Sequence, residues 1–359
     1  MVGLSISLDA PILNYREDRM AYFMYVAIQG DNKISVFTLD PESGNISPEF
    51  EVPVDGGPFT LSISPDKKFL YVGCRDVPSI SSYQINSNNG GLTSLGSVAV
   101  DSWPVYISTD KKGKYLLSSY YQGAGVKVHG IAQDGSLVDP PVVSLDTATG
   151  AHAMQTDSTN SYAFVPHIAG NGPNTIYQFE FDENTGQIAP NTPDRVDPQE
   201  VLGPRHFCFH PDLDILYFSN EQGCSVSGYN LDITTGTLSL FQTLTTLPVG
   251  YSDRNSCSQI QISRSGKYLF APNRGHDSIA CFTIDAETGE LTSNGIISSE
   301  ARPNALCLGP GDRSLYSAGQ DSGNLATFKV DPISGTIDKI GVTPVGNGPC
   351  WISIIQLND

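Results

Sequence analysis

The sequence predicts an all-β chain folded as a seven-bladed β-propeller. Each blade is expected to be a four-stranded antiparallel sheet, with the ring closed by N- and C-terminal strands in one blade. Three observations predict this. A two-stranded unit recurs along almost the whole chain. A turn of the form Asp-x-x-(Ser/Thr)-Gly-x-(Ile/Leu) follows it at intervals of about 46 to 53 residues, a four-stranded blade period. The two ends of the chain each carry half of one more unit.

In chain order, the apolar run Phe23 to Ile28 reads as the second strand of a hairpin whose first strand is missing. Leu61 to Val72 is a complete hairpin around Ser-Pro-Asp, and Ile107 to Leu117 and Met154 to Val165 are further copies. The clearest copy is Gly203 to Glu221. There Phe207 and Phe209 alternate with Cys208, His210-Pro211-Asp212 supplies turn chemistry, and Ile215 to Phe218 returns as the second strand. Ile260 to Phe270 and Leu306 to Tyr316 follow. The C-terminal run Gly348 to Ile354 reads as a first strand lacking its partner, so the two ends pair into the seventh hairpin. Closure of this kind removes free sheet edges.

Each unit continues into a third strand, such as Ser79 to Tyr83, Val226 to Tyr229 or Ser278 to Phe282. The turns run Asp40 to Ile46, Asp182 to Ile188, Asp232 to Leu238, Asp285 to Leu291 and Asp331 to Ile337, with looser forms at Asn86 to Leu92 and Asp134 to Leu137. Their Gly supplies positive φ, and their Asp and Ser/Thr side chains bond back to the turn backbone. One propeller domain is expected over residues 21–359, preceded by an extension over residues 1–20.

Composition excludes several functions. Asp and Glu number 38 against 20 Lys and Arg, a formal charge of -18, which argues against a nucleic-acid partner. No apolar run approaches the roughly 20 residues of a membrane helix, and the N-terminus lacks a signal-peptide pattern. The seven cysteines are scattered, with no Cys-x-x-Cys, as expected of reduced thiols in a cytoplasmic protein. An anionic substrate must then be held by a local basic cluster. The oligomeric state is left open, with a monomer as the default.

Aligning the repeats with one another isolates the positions that depart from the scaffold. The slot opening each inner strand reads Phe59, His152, Arg205, Ser258, Asn304 and Cys350, with blade 3 aligned near Trp103. A second slot, past the end of the next strand, reads Gln29, Arg75, Tyr121, Ile168, Glu221, Arg274 and Gln320. Hairpin geometry puts both slots at one mouth of the central channel. His152, Arg205, Glu221 and Arg274 lie on three consecutive blades, so the ring should gather them in one pocket. Each also fits a structural role, and Glu221 with Arg274 could be an ion pair between blades. His210 is assigned to the opposite face, His129 to a blade face, and His167 and His276 to looser loops on the site side. The histidines show no metal-ligand spacing, and neither a Gly-x-Ser-x-Gly elbow nor a phosphate-cradling loop is present.

Several of these segments carry a resemblance. Gly203-Pro-Arg-His-Phe207 with Asn220-Glu221, Asn273-Arg274-Gly-His-Asp-Ser-Ile279, Ala318-Gly-Gln320 and Val345 to Trp351 resemble the seven-bladed lactonase family, over about Tyr25 to Ile354. That family contains propeller-type 6-phosphogluconolactonases and carboxy-cis,cis-muconate cyclases. The resemblance implies catalytic roles for His152, Arg205, Glu221 and Arg274, the four residues the slots isolate. Substrate-binding roles are expected for His206, Asn220, Asn273, Arg75 and Gln320. Two positions depart from the family pattern. Gln259 stands where an acidic residue is common, and Gly150 where many members have a second histidine.

The expected chemistry is metal- and cofactor-independent hydrolysis of a small anionic lactone or sugar acid. Glu221 would be the base for water, Arg205 and Arg274 the anion and oxyanion binders, and His152 the acid for the leaving oxygen. A lactonising cyclase and a non-catalytic binding propeller are the alternatives. Two connections, Ala189 to Leu202 and Ser239 to Ser256, are read either as roofs over the pocket, bringing Tyr251, Asp253 and Arg254 toward substrate, or as outer-strand crossovers.

Overall fold

A computed structural model describes residues 21–357 of the chain. The extension expected at residues 1–20 lies outside the described residues. Seven four-stranded antiparallel sheets form the ring. Blade 1 runs, from the channel outward, Pro349–Leu357, Ala21–Ile28, Lys33–Leu39 and Ile46–Pro53. Its two termini pair over their full length, with Tyr25 opposite Ser353, so the closing blade is the one the half-hairpins predicted. Blades 2 to 7 follow in sequence, with inner strands Pro58–Ile63, Tyr106–Thr109, Gln155–Thr156, Pro204–Phe209, Gln261–Ile262 and Pro303–Leu308. The only helices among the described residues are the short 3-10 turns Gln29–Asp31 and Pro310–Asp312.

Burial explains the sequence patterns. Second strands such as Ile215–Asn220 are buried along their whole length, because both faces are covered by neighbouring blades. Outer strands such as Ile46–Pro53 alternate, with one face to solvent. The core is divided into apolar layers between adjacent blades. Tyr25, Val36, Leu61 and Val72 fill the gap between blades 1 and 2, and Ala153, Phe164, Phe207 and Phe218 fill that between blades 4 and 5. Each fully buried large side chain contributes roughly 1.5–3 kcal/mol.

One contact recurs at every blade boundary. A tyrosine of the second strand donates its hydroxyl to a backbone carbonyl in the turn between the third and outer strands of the next blade. Going round, the pairs are Tyr25 with Gly90, Tyr71 with Gly135, Tyr115 with Asn184, Tyr162 with Thr234, Tyr217 with Gly289, Tyr268 with Ile333 and Tyr316 with Gly44, all between 2.7 and 3.1 Å. The last pair joins blade 7 to blade 1. The turn glycines are needed for the fit as well as for their dihedral angles. A Cβ on Gly236 (φ +65) would lie 2.0 Å from Tyr162 Cδ1.

The inner strands explain the slot pattern. In six blades the inner strand carries one residue more than its partner near its start. The ladder skips Phe59, Cys350 and Asn304. In blade 5 Arg205 and His206 together face Ser219. In blades 4 and 6 the ladder breaks between isolated bridges at Ala151 and Cys257 and the short strands beyond. The inner-strand slot found by repeat alignment therefore falls at β-bulges and ladder breaks, while the second slot lies just past the end of each second strand.

Three expectations change. Ala189 to Val196 is mostly outer strand, within Ile188–Val196, and Ser239 to Thr245 lies in the outer strand Thr237–Thr245. The crossover reading therefore holds for the first half of both segments, and only residues 197–203 and 246–256 are connections. His167 ends the strand Tyr162–His167, fully buried, with Nε2 2.9 Å from Thr147 Oγ1, so it is not in a loop.

Tyr316→Phe removes the hydroxyl that links blade 7 to blade 1 and leaves the Gly44 carbonyl without that donor. It is expected to cost about 1–2 kcal/mol in denaturant unfolding. Gly236→Ala, which must displace the Tyr162 ring, is expected to cost more. Unchanged unfolding in both variants would remove the tyrosine–turn contacts from the account of ring stability.

Candidate active site

The site is built first from blade 5. Gly203 has φ +70, and its carbonyl accepts from the Glu221 N–H at 2.7 Å, which ties the start of the inner strand to the end of the second. The bulge that follows points Arg205 back across the hairpin. Its Nε donates to Glu221 Oε2 at 2.7 Å. Blade 6 supplies Arg274, whose Nη2 is 3.2 Å from the same oxygen and also donates to the Cys257 carbonyl at 2.9 Å. Its Nη1 donates to Asn304 Oδ1 at 3.4 Å, bringing in blade 7. Blade 4 supplies His152, with Nε2 3.9 Å from Glu221 Oε2. The four residues expected to share one pocket meet in one side-chain cluster around Glu221 Oε2.

Electrostatics follow from burial. Burial of the Glu221 carboxyl raises its pKa, but Arg205 and Arg274 outweigh that and bring it down to about 2. Burial, with help from the Arg205 charge, lowers His152 to about 3. Burial and the neighbouring Arg274 lower Arg205 to about 9, still charged at neutral pH. At neutral pH the site is therefore one carboxylate between two guanidinium groups, beside a neutral imidazole. The acid expected for the leaving oxygen is His152, and burial keeps its imidazole neutral at neutral pH. It can donate or accept a hydrogen bond but does not hold a spare proton.

The cluster is incomplete in hydrogen bonding. Nine buried side-chain polar atoms among the described residues lack a partner, and four of them are here: His152 Nδ1, Arg205 Nη1, His206 Nε2 and Arg274 Nε. Such atoms are costly in a folded protein unless something else satisfies them. Their concentration at one place points to a polar ligand.

Of the expected substrate-binding residues, His206 is part of this wall. Its ring lies edge-on to His152 (5.2 Å) and Tyr106 (5.0 Å) and tilted on Trp351 (5.9 Å), above a channel cavity of about 200 Å³. Asn273 is not available. Its amide donates to Thr246 O and Ser278 Oγ, and its oxygen accepts from Thr246 Oγ1 and Asn255 Nδ2. Asn220 spends both amide hydrogens on Ser225 Oγ and Ser227 Oγ. Both therefore brace the strand ends that carry Glu221 and Arg274. Arg75 stacks over Trp103 (4.5 Å) and Phe59 (5.5 Å) in its own part of the rim, and half-buried Gln320 makes no contact with the cluster. Asn304, Tyr106 and Trp351 escaped the sequence reading as site residues. Asn304 was visible in its slot but is neutral, and the two aromatics lie beyond the slots that were compared. Among the described residues no three potential metal ligands converge.

A family model described as "Lactonase, 7-bladed beta-propeller" matches residues 24–354. The chain belongs to the seven-bladed β-propeller lactonase family. Among its lactonase relatives, the 6-phosphogluconolactonase of Pectobacterium carotovorum is 31% identical over 339 residues, covering 94% of this chain and 100% of that protein. That of Serratia proteamaculans is 30% identical over 336 residues, covering 94% and 99%. The periplasmic gluconolactonase of Pseudomonas aeruginosa has the same fold, with a TM-score of 0.87 at 23% identity over 94% of this chain and 99% of its own.

The two departures from the family pattern acquire local reasons in this lactonase. Gln259 Oε1 accepts from the Leu306 N–H at 2.8 Å and so links blades 6 and 7 without adding charge to the channel. Gly150 has φ +93, and a Cβ there would come within 3.2 Å of Gly172 Cα, so a histidine would not fit this backbone.

The lowered pKa of Glu221 has a sign for stability. Its folded value lies below its ordinary one, so the stabilisation it provides is present above about pH 4.5 and is lost as pH falls toward about 2. The melting temperature of Glu221→Gln should therefore lie below that of the wild type at pH 6, with the gap closing as pH is lowered through that window. A gap that stays constant with pH would mean that the carboxylate is not held by the arginines.

Proposed function

We propose that this lactonase hydrolyses the lactone of a small anionic sugar acid, 6-phosphogluconolactone by analogy with its named relatives, at the channel mouth and without a metal ion. The observation that carries the reading is the pair of unpartnered buried donors, Arg205 Nη1 and Arg274 Nε, on either side of the Glu221 carboxylate. A lactone carbonyl entering there would meet two charge-assisted donors where negative charge develops in the transition state. All protein contacts to Glu221 described above fall on Oε2, which leaves Oε1 to orient the attacking water.

The steps balance as an ester hydrolysis. Water adds to the carbonyl carbon and gives a proton toward Glu221. The resulting oxyanion is held by the two guanidinium groups. It then collapses, the bond from that carbon to the ring oxygen breaks, and the ring oxygen takes up the proton to become a hydroxyl. The product is the open sugar acid. Glu221 by itself is a weak base, because two positive charges hold its pKa near 2. An anionic substrate that draws Arg274 to itself relieves part of that hold, so the base strengthens as the site fills. His152, neutral, is positioned to hydrogen-bond the leaving oxygen rather than to protonate it.

The metal-independent reading rests on the donor set. One imidazole and one carboxylate stand against two guanidinium groups, which repel a divalent cation. A cytoplasmic location is proposed on the seven unpaired cysteines.

Steady-state kinetics on a lactone panel test the roles, with a muconate panel beside it to detect cyclase activity. Glu221→Gln should lower kcat about 10²–10⁴-fold while keeping the fold. Arg274→Ala should raise KM more for anionic than for neutral lactones. Normal turnover by Glu221→Gln, together with a large drop in melting temperature, would make Glu221 only an ion-pair partner. Activity is also expected to survive exhaustive chelation. Loss with EDTA and recovery with zinc or calcium would reject the mechanism.

A further inference from the structure

A groove of about 350 Å³ opens outward from Arg274, between the connection into blade 6 and the start of blade 7. It is lined by Arg254, Ser256, Arg274, Asp277, Arg302 and Asp321. Arg274 belongs both to this groove and to the cluster around Glu221, so a ligand reacting at Glu221 can extend a second group into the groove.

Arg302 is the informative residue. It stands immediately before the proline that opens an inner strand. The corresponding residue is Gly348 in blade 1, Gly57 in blade 2 and Gly203 in blade 5, with φ +71, +72 and +70. Arg302 adopts the same left-handed conformation, with φ 54. This backbone suits glycine, and a long side chain is held there under strain. The strained conformer is supported by its N–H, which donates to Asp277 Oδ1 at 2.9 Å. Arg302 thus departs from the glycines of blades 1, 2 and 5 at a position that overlooks the groove, and it departs by adding a guanidinium group.

The charges facing the groove are three guanidinium groups and two carboxylates. Asp277 accepts the backbone N–H groups of Gly275 and Arg302 on Oδ1. Asp321 Oδ1 lies 3.6 Å from Arg302 Nη1, an exposed and loose pair that a stronger anion can displace. Arg254 makes no ion pair among the described residues and is exposed. Three guanidinium groups and the Ser256 hydroxyl lining one groove suit a compact dianion with three acceptor oxygens better than a single carboxylate.

We propose that this groove binds the phosphate group of a phosphorylated sugar lactone, through Arg254 and Arg302 with Arg274 at its inner end. The assignment rests on the lactonase reading above and adds the residues that select a phosphorylated substrate over an unphosphorylated one.

The test is the ratio of kcat/KM for 6-phosphogluconolactone to that for unphosphorylated gluconolactone, in the wild type, Arg302→Gly, Arg254→Ala and Asp321→Asn. Glycine is the residue that sibling blades carry at this position, so Arg302→Gly is expected to fold, which a thermal melt checks. The ratio should fall about ten- to hundredfold in Arg302→Gly, mainly through KM, as expected for loss of a charged hydrogen-bond partner. It should fall in Arg254→Ala as well and rise in Asp321→Asn, where Arg302 is released. An unchanged ratio in both arginine variants would overturn the phosphate groove and leave the lactonase reading intact. If the wild type opens neither lactone, the hydrolase reading fails separately. Calorimetric binding of inorganic phosphate then decides the groove, weaker binding to Arg302→Gly than to wild type supporting it and equal binding overturning it.

Discussion

The ring depends on a boundary contact made seven times over. A tyrosine of each second strand, buried in five blades and half-buried in two, reaches the turn of the next blade and donates a hydrogen bond to its backbone. Each contact needs a tyrosine in one blade and a compact, glycine-bearing turn in the next. Neither blade can therefore shift against its neighbour without losing that hydrogen bond, and the apolar layers between blades are held in register. The closing contact, Tyr316 to Gly44, makes the two ends of the chain mutually dependent. A pocket assembled from three blades requires this rigidity, since an error in any blade angle would separate its charges.

The site puts that rigidity to use. One carboxylate oxygen is shared by an arginine of its own blade and an arginine of the next, with a histidine of the blade before it 3.9 Å away. Buried ion pairs of this kind repay their desolvation only when geometry is good and the remaining polar atoms find partners. Here the geometry is good and the partners are incomplete. The four unsatisfied atoms are the mark of a site prepared for something polar that is not protein. The asparagines beside Glu221 and Arg274 belong to the supporting shell. Asn273 satisfies its whole amide, Asn220 spends both amide hydrogens, and both hold the strand ends from which the charged residues project.

The repeat made much of this legible. Comparing equivalent positions around the ring isolated His152, Arg205, Glu221 and Arg274, because a scaffold that repeats makes its own exceptions visible. Other features did not show. Asn220 and Asn273 share the motifs of the charged residues, yet their side chains bond elsewhere, and strand periodicity does not reveal which of two neighbours faces the cluster at a strand end. Tyr106 and Trp351 meet His206 only because the ring brings blades 1, 3 and 5 together across the channel. Such cross-channel contacts leave no periodic signal. The two long connections proved half strand, since outer strands are polar enough to resemble loops.

The sequence by itself determined the number of blades, their strand order, the closure of the ring and the blades that carry charge. All of these follow from local rules: alternation, turn chemistry and repetition. Only the tertiary structure decided the protonation states and the division of labour within the site. The depressed pKa of Glu221, the neutrality of His152 and the saturation of Asn273 arise from burial and from charges a few ångströms away on other blades. Local sequence does not encode those distances. They come into being when seven separately specified sheets close into one ring.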